Sequence, residues 1–230
     1  MGAESDRERR LRESGLAFFG KVTAGISHDL NNVLSTIGQF SGLLQDMIPG
    51  ASEGTEDVSP GDLKRVAEGI ATHLQRGTAL IKRLNHFAHS VDPHDSRIDA
   101  VELVAAITEL AGRLARLREI RLETDLPSGP IPLCINPFQL QQAVFLAIET
   151  AALSSDSSRT VTVSAAAQDN QMRIAVSSAA PIGLDDFQER LSLLILLMEE
   201  SGGSAASLPD DAGNHRFVLT IPVAEKTGEK

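Results

Sequence analysis

The sequence predicts an α+β chain: a long two-helix hairpin followed by a mixed α/β sandwich. Three observations carry that expectation. A proline-free run from Leu16 to Ile48 repeats apolar residues at helical spacing. A second helical pattern follows a turn-rich break. Beyond residue 97 the pattern changes to short alternating segments between capped helices. At 230 residues the chain has room for two small domains. They are expected at 1–92 and 97–225.

In the first helix Phe19, Ile26, Val33, Phe40 and Met47 recur at heptad spacing. Val22 and Leu43 interleave with them, and Leu30, Ile37 and Leu44 widen the stripe. The polar residues 1–14 are expected to fray or to extend this helix. Turn formers and acids from Pro49 to Ser59 are expected to stop it. Ser59 then suits an N-cap, Pro60 the first helical position and Asp62 the first turn. Leu63, Val66, Ile70, Leu74, Ile81, Leu84 and Ala88 form the expected apolar side of the second helix. A helix of about 30 residues is roughly 45 Å long. Two such helices cannot bury so broad a stripe alone, and pairing with a second copy into a four-helix bundle resolves this.

Val91–Ser96 reads as a linker. Asp99 with Glu102 signals a helix running to about Leu117, and the sequence from Ile120 alternates as a strand. Residues 131–135 form a short apolar strand in which Cys134 is expected to be a small core residue. Asn136, Pro137 and Gln139 open a helix to about Ala152. Strands at 161–166 and 171–176 flank Asp169-Asn170, a hairpin turn. A helix from about Leu184 to Glu200 ends at Gly202-Gly203, and the strand HRFVLTIPV closes the fold.

Composition narrows the function. The net charge of −10 argues against nucleic acid or an anionic membrane as partner. Aromatics are 3% of residues, so stacking on bases is not expected. A single cysteine excludes an internal disulfide and fits a reducing, cytoplasmic compartment. No apolar run has the length of a membrane span, and the charged start lacks a signal-peptide core. His86 and His89 lack a third ligand and are read as a solvated helix end. His73 is read as a packed or partly exposed residue near the second helix's seam. Arg7, Arg9, Arg10 and Arg12, interspersed with acids, are read as a solvated helix start.

The chemistry concentrates in Gly25–Ile37. At about 100° per residue, His28 lies roughly 150° from the apolar seam and projects toward solvent. Asp29 follows it, and Asn32 stands one turn on. A neutral imidazole can accept a phosphoryl group near pH 7. A neighbouring carboxylate can hold the proton of one ring nitrogen and leave the other free to attack.

Ser27-His28-Asp29-Leu30-Asn31-Asn32-Val33-Leu34 resembles the phosphoacceptor H-box of sensor histidine kinases. The resemblance extends over about residues 15–223. It implies a dimeric hairpin followed by a Bergerat, histidine-kinase ATPase-like sandwich. It also implies His28 as the phosphorylated residue and Asp29 as its acid/base partner. Asn32 would occupy the position that orients water in phosphatase-competent members. The second half departs from the kinase pattern. Where kinases carry two asparagines that help hold magnesium and phosphate, this chain has Leu146 and Thr150, with Glu149 alone kinase-like. The adenine-binding turn is replaced by Ser177–Gly183, and the glycine-rich box by a segment carrying Asp185, Asp186 and Glu189. About six residues separate Val176 from the next helix, too few for a nucleotide lid.

This degenerate pattern resembles the ChpT-like histidine phosphotransferases of bacterial phosphorelays. It implies phosphoryl transfer through His28 to and from response-regulator receiver domains, without ATP. No cofactor is expected on this chain, magnesium being supplied by the receiver. A homodimer is implied, and a hybrid histidine kinase is a further partner. The alternatives are a non-phosphorylated scaffold or inhibitor that binds receivers or kinases, and an atypical ATP-dependent histidine kinase.

Overall fold

The computed structural model describes residues 2–53, 59–91, 95–153, 160–178, 185–209 and 215–223. In chain order the elements are α1 (Gly2–Glu53), α2 (Pro60–His89), β1 (Ser96–Asp99), α3 (Ala100–Leu117), β2 (Arg121–Asp125), β3 (Pro132–Ile135), α4 (Pro137–Ala152), β4 (Thr160–Gln168), β5 (Gln171–Ser178), α5 (Phe187–Glu200), β6 (Ser204–Pro209) and β7 (His215–Pro222). They group into two compact units. One is Thr23–His89; the other joins Met1–Val22 to Ser90–Lys230. One boundary between the units falls inside α1, after Val22, and the other after His89.

The helix α1 is longer than its apolar run. It starts at Gly2 instead of fraying through residue 14, and it passes Pro49 to reach Glu53. Arg9 pairs with Asp6 at 2.5 Å and with Glu13 at 3.4 Å, one turn away on either side. The Arg9 guanidinium holds the Asp6 carboxyl below the usual carboxylate range. The start of α2 is as the sequence reads. Ser59 Oγ accepts from the Asp62 amide at 3.1 Å, and the Asp62 carboxylate accepts from the Ser59 amide at 3.3 Å.

In the Thr23–His89 unit, Ile26 and Val33 of α1 are buried, as are Val66, Gly77, Leu80 and Phe87 of α2. Leu63, Leu74 and Ile81 of the expected apolar side are exposed in the single chain. The face of α2 that meets α1 carries glycines. A Cβ on Gly69 would stand 2.5 Å from the Phe40 ring, and one on Gly77 would stand 3.3 Å from Val33. The two glycines let α1 approach that face, which a count of apolar residues passes over. His73 lies on it too, its ring centroid 5.9 Å from that of Phe40. Its Nδ1 is buried and has no partner among the described residues. Replacing His73 by leucine is expected to stabilise the hairpin by about 1 kcal/mol, because it removes an unsatisfied polar atom. A lowered melting temperature would contradict this.

In the other unit a five-stranded sheet has the order β2-β4-β5-β7-β6, with β2 parallel to β4 and the remaining pairs antiparallel. Strands β1 and β3 form a separate antiparallel pair. Val161, Val163, Met172, Ile174, Val176, Phe217, Leu219 and Ile221 are buried in alternation along β4, β5 and β7. They form a core with α3, α4 and α5, whose buried residues include Ile107, Leu140, Ile148 and Leu197. Asp169 and Asn170 take φ of 52° and 58°, the left-handed pair of a two-residue hairpin turn. Asn136 caps α4 by accepting from the Phe138 and Gln139 amides. Gly202, at φ 71°, ends α5.

The strands β1 and β6 were not expected from the sequence. Cys134 is exposed, against the expectation of a core residue. Strand alternation explains it: Leu133 and Ile135 are buried, so the residue between them points out. The turn replacing the adenine box falls largely on 179–184, and part of the linker on 92–94. Both lie outside the described residues. Among the described residues no helix is long and apolar enough to cross a membrane.

Candidate functional site

His28 sits on α1 away from the buried line of Ile26 and Val33, and its side chain is 55% exposed. Helical spacing forces this, because residues two and five positions from the seam cannot share its face. Asp29 is more enclosed, and its Oδ1 lies 3.8 Å from His28 Nδ1. Asn32, one turn along, brings its Nδ2 to 3.2 Å from the same nitrogen. The three residues predicted from the sequence therefore converge on one ring atom, Nδ1. Nε2 has no partner among the described residues. Asn31 is exposed beside them. An imidazole engaged at one nitrogen and exposed at the other can meet a docking partner from the open side.

The α4 region of the sandwich forms a second site, distinct in chemistry. Thr150 is buried, and its Oγ1 donates to the Leu146 carbonyl at 2.7 Å. That hydroxyl serves its own helix. Glu149 is held from two sides. Lys21 of α1 reaches its two oxygens at 2.6 and 2.9 Å, and Arg190 of α5 reaches Oε2 at 3.3 Å. Arg190 also donates to Asp186 at 2.6 Å. Phe18 and Phe145 border a cavity of about 350 Å³ alongside these groups. The carboxylate that looked kinase-like thus carries two cations of its own chain. Sequence reasoning missed Lys21 and Arg190. The available signal was the Asp186–Arg190 spacing of one helical turn.

The strength of this ion triad is testable. Lys21 is half-exposed, so its bond to Glu149 is solvent-screened. A double-mutant cycle of Lys21→Met and Glu149→Gln is expected to give a coupling of about 0.5–1 kcal/mol in urea denaturation. Zero coupling would mean that the pair does not hold α1 on the sandwich.

No family model matches the chain. Residues of this chain align with the sensor protein kinase PilS of Pseudomonas aeruginosa at 26% identity over 137 residues. That alignment covers 59% of this chain and 24% of PilS, so the chain spans about a quarter of that relative's length. The crystal structure of histidine kinase ThkA in complex with response regulator TrrA matches 98% of this chain and 67% of that one, at 16% identity and a TM-score of 0.50. Full-length ShkA in complex with AMPPNP matches 89% of this chain and 46% of that one, at 15% identity and a TM-score of 0.50. The chain is similar to histidine kinases: a helical N-terminal part precedes an α/β sandwich of their ATPase type.

Proposed function

We propose that the chain is a histidine phosphotransfer protein of a two-component phosphorelay, working as a homodimer between response-regulator receiver domains. The observation that carries this is the exposed His28 imidazole with Asp29 and Asn32 gathered at Nδ1. In the step, the Nε2 lone pair attacks the phosphorus of the receiver's aspartyl phosphate in line. The N–P bond forms, and the P–O bond breaks with its electron pair leaving on the aspartate. The Nδ1 proton stays on the ring, facing Asp29, which offsets the imidazolium charge. Transfer to a second receiver reverses the step. Magnesium is expected in the receivers.

Use of ATP by this chain is disfavoured by the occupied face of α4. The Thr150 hydroxyl is turned back on its helix, and Glu149 is neutralised by Lys21 and Arg190. The homodimer is supported by Leu34, Leu43, Leu63, Leu74 and Ile81, which stand exposed on the hairpin of one chain. An ATP-dependent kinase is the second reading, favoured by the retained Glu149 and the sandwich. One experiment separates the two. The protein is given a receiver carrying labelled phosphoryl and, separately, γ-labelled ATP. Acid-labile label from the receiver alone is expected. Label from ATP would establish the kinase. Stable receiver binding without label from either would establish a scaffold.

A further inference from the structure

We propose that Asn32 is a positioning residue that restrains His28 by fixing its tautomer, in opposition to Asp29. The proposal rests on the phosphotransfer reading for its consequence, but its core is a statement about one proton. Asn32 Nδ2 lies 3.2 Å from His28 Nδ1. An amide NH2 only donates, so Nδ1 must accept, and the single proton of the neutral ring then belongs on Nε2. In that tautomer the exposed nitrogen carries a hydrogen in place of a lone pair, and it is no nucleophile.

Asp29 draws the ring the other way. A carboxylate only accepts, so it favours a proton on Nδ1 and a bare Nε2. Its Oδ1 is 3.8 Å from Nδ1, beyond hydrogen-bond reach, whereas Asn32 is within it. In this arrangement the resting ring carries its proton on Nε2. Rotation of the Asn32 amide by a half-turn presents Oδ1 to the same atom. Nδ1–H then donates to Asn32 while facing Asp29, and Nε2 becomes the nucleophile. The two states differ by one side-chain torsion on an exposed helix face and by one ring proton, which Nε2 releases to solvent water while Nδ1 takes one up. A docking receiver can therefore select between them without moving the backbone.

The test reads the tautomer directly. The full chain is labelled with ¹⁵N-histidine and studied by long-range ¹H–¹⁵N correlation in alkaline buffer. His28→Gln identifies the resonances. The wild type is expected to show Nε2–H. Asn32→Ala is expected to raise the Nδ1–H fraction severalfold, and Asn32→Asp, which puts an acceptor-only group at the same reach, to make Nδ1–H predominant. Phosphoryl uptake from a labelled receiver is expected to rise at least threefold in both variants. An unchanged tautomer in both variants overturns the proposal. A changed tautomer with uptake no faster than wild type overturns the restraining role. If the wild type and both variants all fail to take up label, the phosphotransfer reading falls, while the spectra still decide whether Asn32 sets the proton.

Discussion

His28→Gln is expected to abolish phosphoryl uptake from a phosphorylated receiver, by at least about 10³-fold, and to leave the fold intact. Glutamine has no ring nitrogen to attack phosphorus, and its amide is a poor nucleophile. The side chain is 55% exposed and belongs to no buried layer, so the substitution should change stability by no more than about 0.5 kcal/mol. The two halves of the expectation make it sharp. Loss of uptake with an unchanged melting temperature assigns the chemistry to this ring. Asp29→Asn is expected to fall between, with a drop of about 10²-fold, the size typical of a lost acid–base partner. That variant keeps the nucleophile and removes only the acceptor near Nδ1. Full uptake by His28→Gln, measured by labelled receiver and acid lability, would sink the assignment outright.

The sequence makes this site legible for a physical reason. A helix with a strong seam fixes the direction of every other side chain on it, so the exposure of His28 follows from the positions of Ile26 and Val33. Local chemistry was equally readable where a few adjacent residues decide the structure. Ser59 and Asp62 cap each other, Asn136 caps α4, and Asp169-Asn170 turn a hairpin. Long-range decisions were not readable. The strand β1 exists because it pairs with β3, and β6 because it pairs with β7; neither has an apolar pattern of its own. The face of α2 that meets α1 is hard to read from apolar residues, because Gly69 and Gly77 mark it by being small. The fate of Glu149 is not readable from α4, since the two cations that meet it are 128 and 41 residues away.

Phe18→Ala is expected to release the first turns of α1 from the sandwich at a cost of about 3 kcal/mol, a common value for a buried phenylalanine. The ring is 4% exposed, and its centroid lies 5.3 Å from those of both Phe138 and Phe145. The other ties of this segment are polar. Gln142 donates to Ser14 at 2.9 Å, Lys21 binds Glu149, and Arg7 reaches Glu200 at 3.1 Å between half-exposed side chains. Exposed ion pairs contribute about 0–1 kcal/mol each, so the aromatic contact outweighs them. Removing it should raise amide exchange in residues 5–21 by about 10²-fold, since 1.4 kcal/mol corresponds to a factor of ten. Leu16→Ala is the control: that side chain is 68% exposed, and its loss should change exchange little. Protection that survives Phe18→Ala would mean that the segment does not depend on this packing. Protection that is lost would show that this packing holds the segment, and ATP binding gained at the same time in a thermal-shift assay would show that the start of α1 covers a nucleotide-binding face.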